Sequence, residues 1–117
     1  MLAHDTDRPT RSLMALLPRL TVNAQGQPDF DASDAVVLVQ IADAAELLQR
    51  RLQLGISAIE QLLAHASVQV ETGELAQDTV EALGWLLAEL GDAAAACVEL
   101  AVPCRHATVD FTGARHG

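Results

Sequence analysis

Two proline-free stretches, residues 35–66 and 74–102, carry apolar side chains at alternating spacings of three and four. In the first, Leu38, Ile41, Ala45, Leu48, Leu52, Gly55, Ile59, Leu62 and Ala66 form one seam. In the second, Ala76, Val80, Leu83, Leu87, Leu90, Ala94, Cys97 and Ala101 form another. This spacing gathers the apolar groups on one side of an α-helix, whereas a strand would need alternation every second residue. The β-branched run Val36, Val37, Leu38, Val39 could instead end a strand paired with Leu20, Thr21 and Val22. Because the same residues continue the helical seam without a phase break, the helix is the better reading.

The joint between the two segments, residues 67–73, is short, and a short joint makes long helices antiparallel neighbours. The fold class predicted is therefore all-α: a two-helix hairpin with helices at 35–66 and 74–102. Asp31, Ser33 and Asp34 offer capping oxygens before the first helix, and Thr72 and Gly73 precede the second. Pro103 is expected to end the second helix after Val102. This divides the chain into a leader arm and loop (1–34), the hairpin domain (35–102) and a tail (103–117). Gly26, Pro18 and Pro28 argue against a long element in the leader.

A hairpin alone buries one stripe of each helix, and this sequence has more apolar surface than that. The second helix adds Leu75, Ala82, Leu86, Ala93 and Leu100 beside its seam, and the first has a separate minor stripe of Leu47, Leu54 and Ala58. Exposed stripes of this size call for a partner surface. A four-helix bundle built from two hairpins, a homodimer, is the expected solution because twofold assemblies are the commonest oligomers. Gly84, Ala88, Gly91 and Ala95 make a row of small residues that would admit close approach of another helix, and Gly55 interrupts the first seam in the same way. Each interior Gly costs about 1 kcal/mol of helix stability relative to Ala, so a packing gain is expected to offset it. The candidate dimer or partner interface is thus Leu47, Leu54, Gly84, Trp85, Leu86, Ala88, Gly91 and Leu100.

Trp85 lies nearly opposite the seam of the second helix, among Glu81, Glu89, Asp92 and Glu99. Either the leader covers it, with Leu13, Met14, Leu16 and Leu17 over the indole, or it anchors a partner protein. Charge favours the leader: residues 1–20 hold three Arg against two Asp, whereas residues 67–102 hold seven acidic side chains and no basic one.

The chain of 117 residues carries seven Arg, no Lys and sixteen acidic residues, for a net charge of −9. Nucleic acid and anionic membrane surfaces would be repelled. Charged and amide residues (Gln40, Asp43, Glu46, Glu89, Asp92) interrupt both apolar segments, so no membrane span is expected. The polar start, with His4, Asp5, Asp7 and Arg8, lacks the pattern of a secretory signal and predicts a cytoplasmic location.

Signals for chemistry are weak. The run from Asp29 to Asp34 begins like a calcium loop but has Asp34 at the sixth position, where Gly is needed, and Gln40 at the twelfth, where Glu is needed. Turn and capping roles suit these acids better. His65 stands near a helix end, as a phosphate-accepting His does, but no Lys follows to hold the phosphate. Cys97, Cys104, His106 and His116 could supply four zinc ligands, although no Cys-x-x-Cys pair exists and Cys97 belongs to a seam. The expectation is a non-enzymatic helical interaction or regulatory module, homodimeric, with no cofactor and an acidic face for another protein. The alternative is a small enzyme or metal-binding module using Cys104 and His106.

Overall fold

The computed structural model describes residues 7–111. Helix α1 (Pro9–Leu16) runs into a single 3-10 turn (Leu17–Arg19). After a loop come α2 (Ala35–His65), the short α3 (Ser67–Glu71) and α4 (Gln77–Ala107). The two 31-residue helices α2 and α4 pack against each other as an antiparallel hairpin. Among the described residues there is no strand, only an isolated bridge between Val22 and Pro28. The run from Val36 to Val39 is helical.

Local chemistry explains most boundaries. Asp34 caps α2, its Oδ1 accepting the Val36 N–H at 2.9 Å. Pro9 sits in the first turn of α1, where its missing N–H has no helical partner to lose. Gly73, at φ +80°, adopts the left-handed conformation that turns the chain out of α3. The expected joint of 67–73 thus contains a helical turn, and α4 begins at Gln77 rather than at residue 74.

The other end of α4 departs further from expectation. Pro103 does not stop the helix; it lies inside it, and α4 continues to Ala107. A proline there forfeits the hydrogen bond to the Glu99 carbonyl and costs about 3 kcal/mol in a free helix. Tertiary contacts override that cost. Cys104 and Thr108 are completely buried, and Arg105 is held by α2. Thr108 Oγ1 then donates to the Cys104 carbonyl at 2.7 Å, satisfying one of the carbonyls left over at the helix end.

The two seams differ in how far they hold. On α4 the inward set Val80, Leu83, Leu87, Leu90, Ala94, Cys97, Ala101, Cys104 and Thr108 keeps its three-four alternation throughout. On α2 the inward set holds from Leu38 to Ile59. There Leu63 replaces Leu62, which is 69% exposed.

The core occupies one end of the hairpin. Leu13 and Leu16 of α1 pack with Val37, Leu38, Ile41, Ala42, Ala44 and Ala45 of α2 and with Cys97, Ala101 and Cys104 of α4. Leu17, Leu20, Phe30, Leu48, Leu52, Leu100 and Ala107 close its edges. No residue from 46 to 93 is buried. The other end is a bare two-helix arm, and the molecule is correspondingly long, 60 × 34 × 23 Å. Its radius of gyration is 18.7 Å, where a compact chain of this length would have about 13 Å.

The described part of the leader, residues 7–34, therefore does not cover Trp85 within the chain, contrary to expectation, and it contains a helix, α1. Leu13 and Leu16, three residues apart on α1, dock in the broad groove at the Ala42, Ala44, Ala45 and Ala101 end. Small side chains there let a third helix approach both others.

Candidate functional site

The core end is held by a salt bridge as well as by packing. Arg105 on α4 donates through Nε and Nη2 to both carboxylate oxygens of Glu46, at 3.1 and 2.7 Å, and through Nη2 to Asp43 at 2.7 Å. This bidentate fork fixes the rotation and register of α2 against α4. The Arg105 hydrogen bond holds the Glu46 carboxyl below its usual range, against a smaller opposing effect of burial. Arg105 itself is pushed further up, chiefly by Glu46. Nearby, Arg51 donates to the Asp7 carbonyl at 2.6 Å and ties the start of α1 to the middle of α2.

Chemistry-bearing side chains at this end are kept apart. Cys97 and Cys104 are buried, and burial pushes both thiols above their ordinary value. For Cys104 the nearby Arg105 opposes that shift in part. Thiols of this kind are protonated at neutral pH and poor nucleophiles. Cys104 points into the core, whereas His106, two residues on, is exposed and lines an open cleft of about 700 Å³ with Asn23, Pro28, Asp29, Phe30 and Pro103. The structure therefore does not bring Cys104 and His106 together. Among the described residues, no group of three or more His, Cys, Asp or Glu is placed to hold a metal. His116 lies outside the described residues.

Asp29 and Asp34 are occupied with the turn. Asp29 Oδ1 accepts the Ala32 N–H at 3.2 Å and Asp34 caps α2. Ser33 Oγ bridges the loop, donating to the Asp29 carbonyl at 2.7 Å and accepting the Thr21 N–H at 3.0 Å. His65, at the end of α2, is exposed.

The candidate interface residues do not form one surface. Leu47 and Leu54 lie a heptad apart on α2, nearly opposite its seam, half-buried and exposed respectively. Leu86 lies two heptads from Leu100 on one stripe of α4, exposed on the arm, whereas Leu100 is packed against the core. Gly84 and Gly91 lie at heptad steps from Val98, on the opposite side, where Val98, Glu46, Gln49 and Arg105 line a shallow pocket. Ala88 lies next to them and is exposed. The close approach expected at the glycines is not made within the chain: a methyl group added at Gly55, Gly84 or Gly91 would meet nothing within 4 Å.

Trp85 is 72% exposed and points away from the hairpin, in a shallow hollow with Asp78, Glu81 and Ala82. It stands on the outward stripe of α4 with Asp78, Asp92 and Glu99 at heptad steps, all three exposed. Its orientation was legible in the sequence; its lack of intramolecular cover was not.

Among the described residues no helix is long and apolar enough to cross a membrane. Comparison with protein-family models, with curated proteins and with solved structures gave no match.

Proposed function

We propose that this chain is a non-enzymatic helical interaction module that works as a homodimer, its arm completed by a second copy to give a four-helix bundle. The observation that carries this reading is the unequal cover of the hairpin. At the core end a third helix buries the apolar side, whereas along the arm Leu54, Leu62 and Leu86 are 65, 69 and 45% exposed. Exposed leucines in a row are unfavourable in water, at roughly 25 cal/mol per Å² of apolar surface, and a second apolar face removes that penalty. The acidic stripe around Trp85 faces away from that side and remains available to a further protein partner in the dimer.

Light scattering coupled to size exclusion tests the assembly directly. A mass of twice 12.4 kDa at micromolar concentration is expected. A monomer throughout the micromolar range overturns the reading. So does stoichiometric metal in the purified protein that is lost on Cys104→Ala substitution, since it would require Cys104 to work as a ligand.

A further inference from the structure

Resting on the reading of this chain as an interaction module, we infer that the outward face of α4 centred on Trp85 docks a cationic helix of another protein. An Arg or Lys of that helix lies over the indole, and further cations meet the carboxylates on either side. Trp85 is 72% exposed beside a hollow of about 250 Å³ that it shares with Asp78, Glu81 and Ala82. Trp is among the side chains that dominate binding energy once a partner takes them out of water. The face around it is laid out alike in both directions along the helix. Ala82 and Ala88 stand three residues from Trp85, Glu81 and Glu89 four, and Asp78 and Asp92 seven, all of them exposed. Steps of three, four and seven keep to one face of a helix, so the indole stands between two low alanine shoulders with two carboxylates towards each end.

Charge identifies the occupant. Residues 52–93 hold seven acidic side chains and no Arg or Lys, so the chain supplies no cation of its own to this face. Among the described residues, the side-chain ion pairs of Arg105 are with Asp43 and Glu46 at the core end, and none involves Asp78, Glu81, Glu89 or Asp92. A second copy is refused, since this face laid on itself would set four carboxylates against four. A metal ion is not the occupant either, because no group of three or more acidic, His or Cys side chains among the described residues is placed to hold one. A cationic helix satisfies both parts of the face. One Arg or Lys gains cation–π attraction over the indole. Its neighbours a turn away meet Glu81 and Glu89, about 6 Å to either side, and those two turns away meet Asp78 and Asp92, at about 10 Å. The face is one helix wide, so the contact belongs to the small, transient class, held by one anchor and by charge.

The test uses the full chain and an alanine-rich helical peptide whose Arg side chains repeat the spacing of the four carboxylates about a central Arg, with a second peptide carrying Gln in place of every Arg. Trp85 is the chain's one tryptophan and reports directly. The Arg peptide is expected to shift Trp85 emission to the blue and to protect it from acrylamide, and to bind about tenfold or more weakly at high salt than at low. The Gln peptide is expected to do neither. With a fluorophore on the peptide, Trp85→Leu alone and Glu81→Gln with Glu89→Gln together are each expected to weaken binding about fivefold or more. Glu60→Gln with Glu71→Gln removes the same charge from other helices of the arm and is expected to weaken it by less than about twofold. All of these positions are exposed, and helical circular dichroism checks that each variant is folded. No binding of the Arg peptide, equal losses from the two Glu pairs, or unchanged binding by Trp85→Leu overturns the inference. None of these results touches the homodimer reading, which light scattering decides, and a monomer that binds the Arg peptide in the expected way overturns the homodimer alone.

Discussion

Replacing Gly55, Gly84 and Gly91 by Ala should stabilise this protein. All three are inside long helices with ordinary helical backbone, and a methyl group at each finds open space within 4 Å. Nothing in the folded chain then opposes the intrinsic preference of Ala over Gly, about 0.5–1 kcal/mol per site, part of which comes from a less disordered unfolded chain. None of the added methyl groups meets a shared neighbour, so the three effects are summed, for a total of about 2 kcal/mol. For a domain of this size that corresponds to a rise in Tm of roughly 8 °C. Thermal and urea unfolding followed by circular dichroism would measure it, with the single variants made alongside the triple. Gly84 and Gly91 lie away from the side assigned to the second copy, so their substitution should leave the light-scattering mass unchanged. A loss of stability at Gly84 or Gly91, or a dimer that dissociates, would refute the reasoning by showing that another backbone does come close to that side.

Four further outcomes follow from contacts described above. Arg105→Ala should cost about 1 kcal/mol at neutral pH, the discounted value of a half-exposed bidentate pair. Because the Glu46 carboxyl is lowered in the folded state, that contribution is present above its ordinary value of 4.5 and is lost as pH falls through the folded value. Urea unfolding of both proteins at pH 7 and pH 3 should show the difference shrink in acid. Leu16→Ala should cost about 2–4 kcal/mol by opening a cavity under α1, a loss readable in the same unfolding curves. Native protein should react slowly with a water-soluble disulfide reagent and release two thiols per chain only when unfolded; fast native labelling would contradict the burial of Cys97 and Cys104. Trp85 should emit like an indole in water and be readily quenched by acrylamide, and Trp85→Ala should change stability by no more than about 0.5 kcal/mol.

The hairpin was legible because its evidence is local and repeated: many apolar residues on each helix agree on one face. What was not legible depended on contacts between distant parts of the chain. The continuation of α4 past Pro103 rests on Arg105 meeting Glu46, 59 residues away, and on the burial of Cys104 and Thr108, none of which leaves a periodic trace. Pro9 followed by Leu13 and Leu16 was a readable sign of a short helix, but not of the groove it would enter. That choice was set by the small residues Ala42, Ala44, Ala45 and Ala101. In the candidate site, the outward position of Trp85 could be read from the wheel. That Gly84 and Gly91 face open space could not, since spacing reports the side of a helix and not the distance to its neighbour.

Concentrating the anchoring contacts at one end frees the other to vary in length. α1, the Arg105 fork and the Thr108 closure all act on the core end, and beyond Leu52 each turn of the arm has, within the chain, only the neighbouring helix beside it. Removing or inserting one heptad in each helix of the arm would move the tip by about 10 Å while every anchoring residue kept its neighbours. The protein is thus built like a fixed handle with an adjustable shaft, and the distance between its core and its tip is a quantity that sequence change can tune in discrete steps without reopening the question of whether the chain folds.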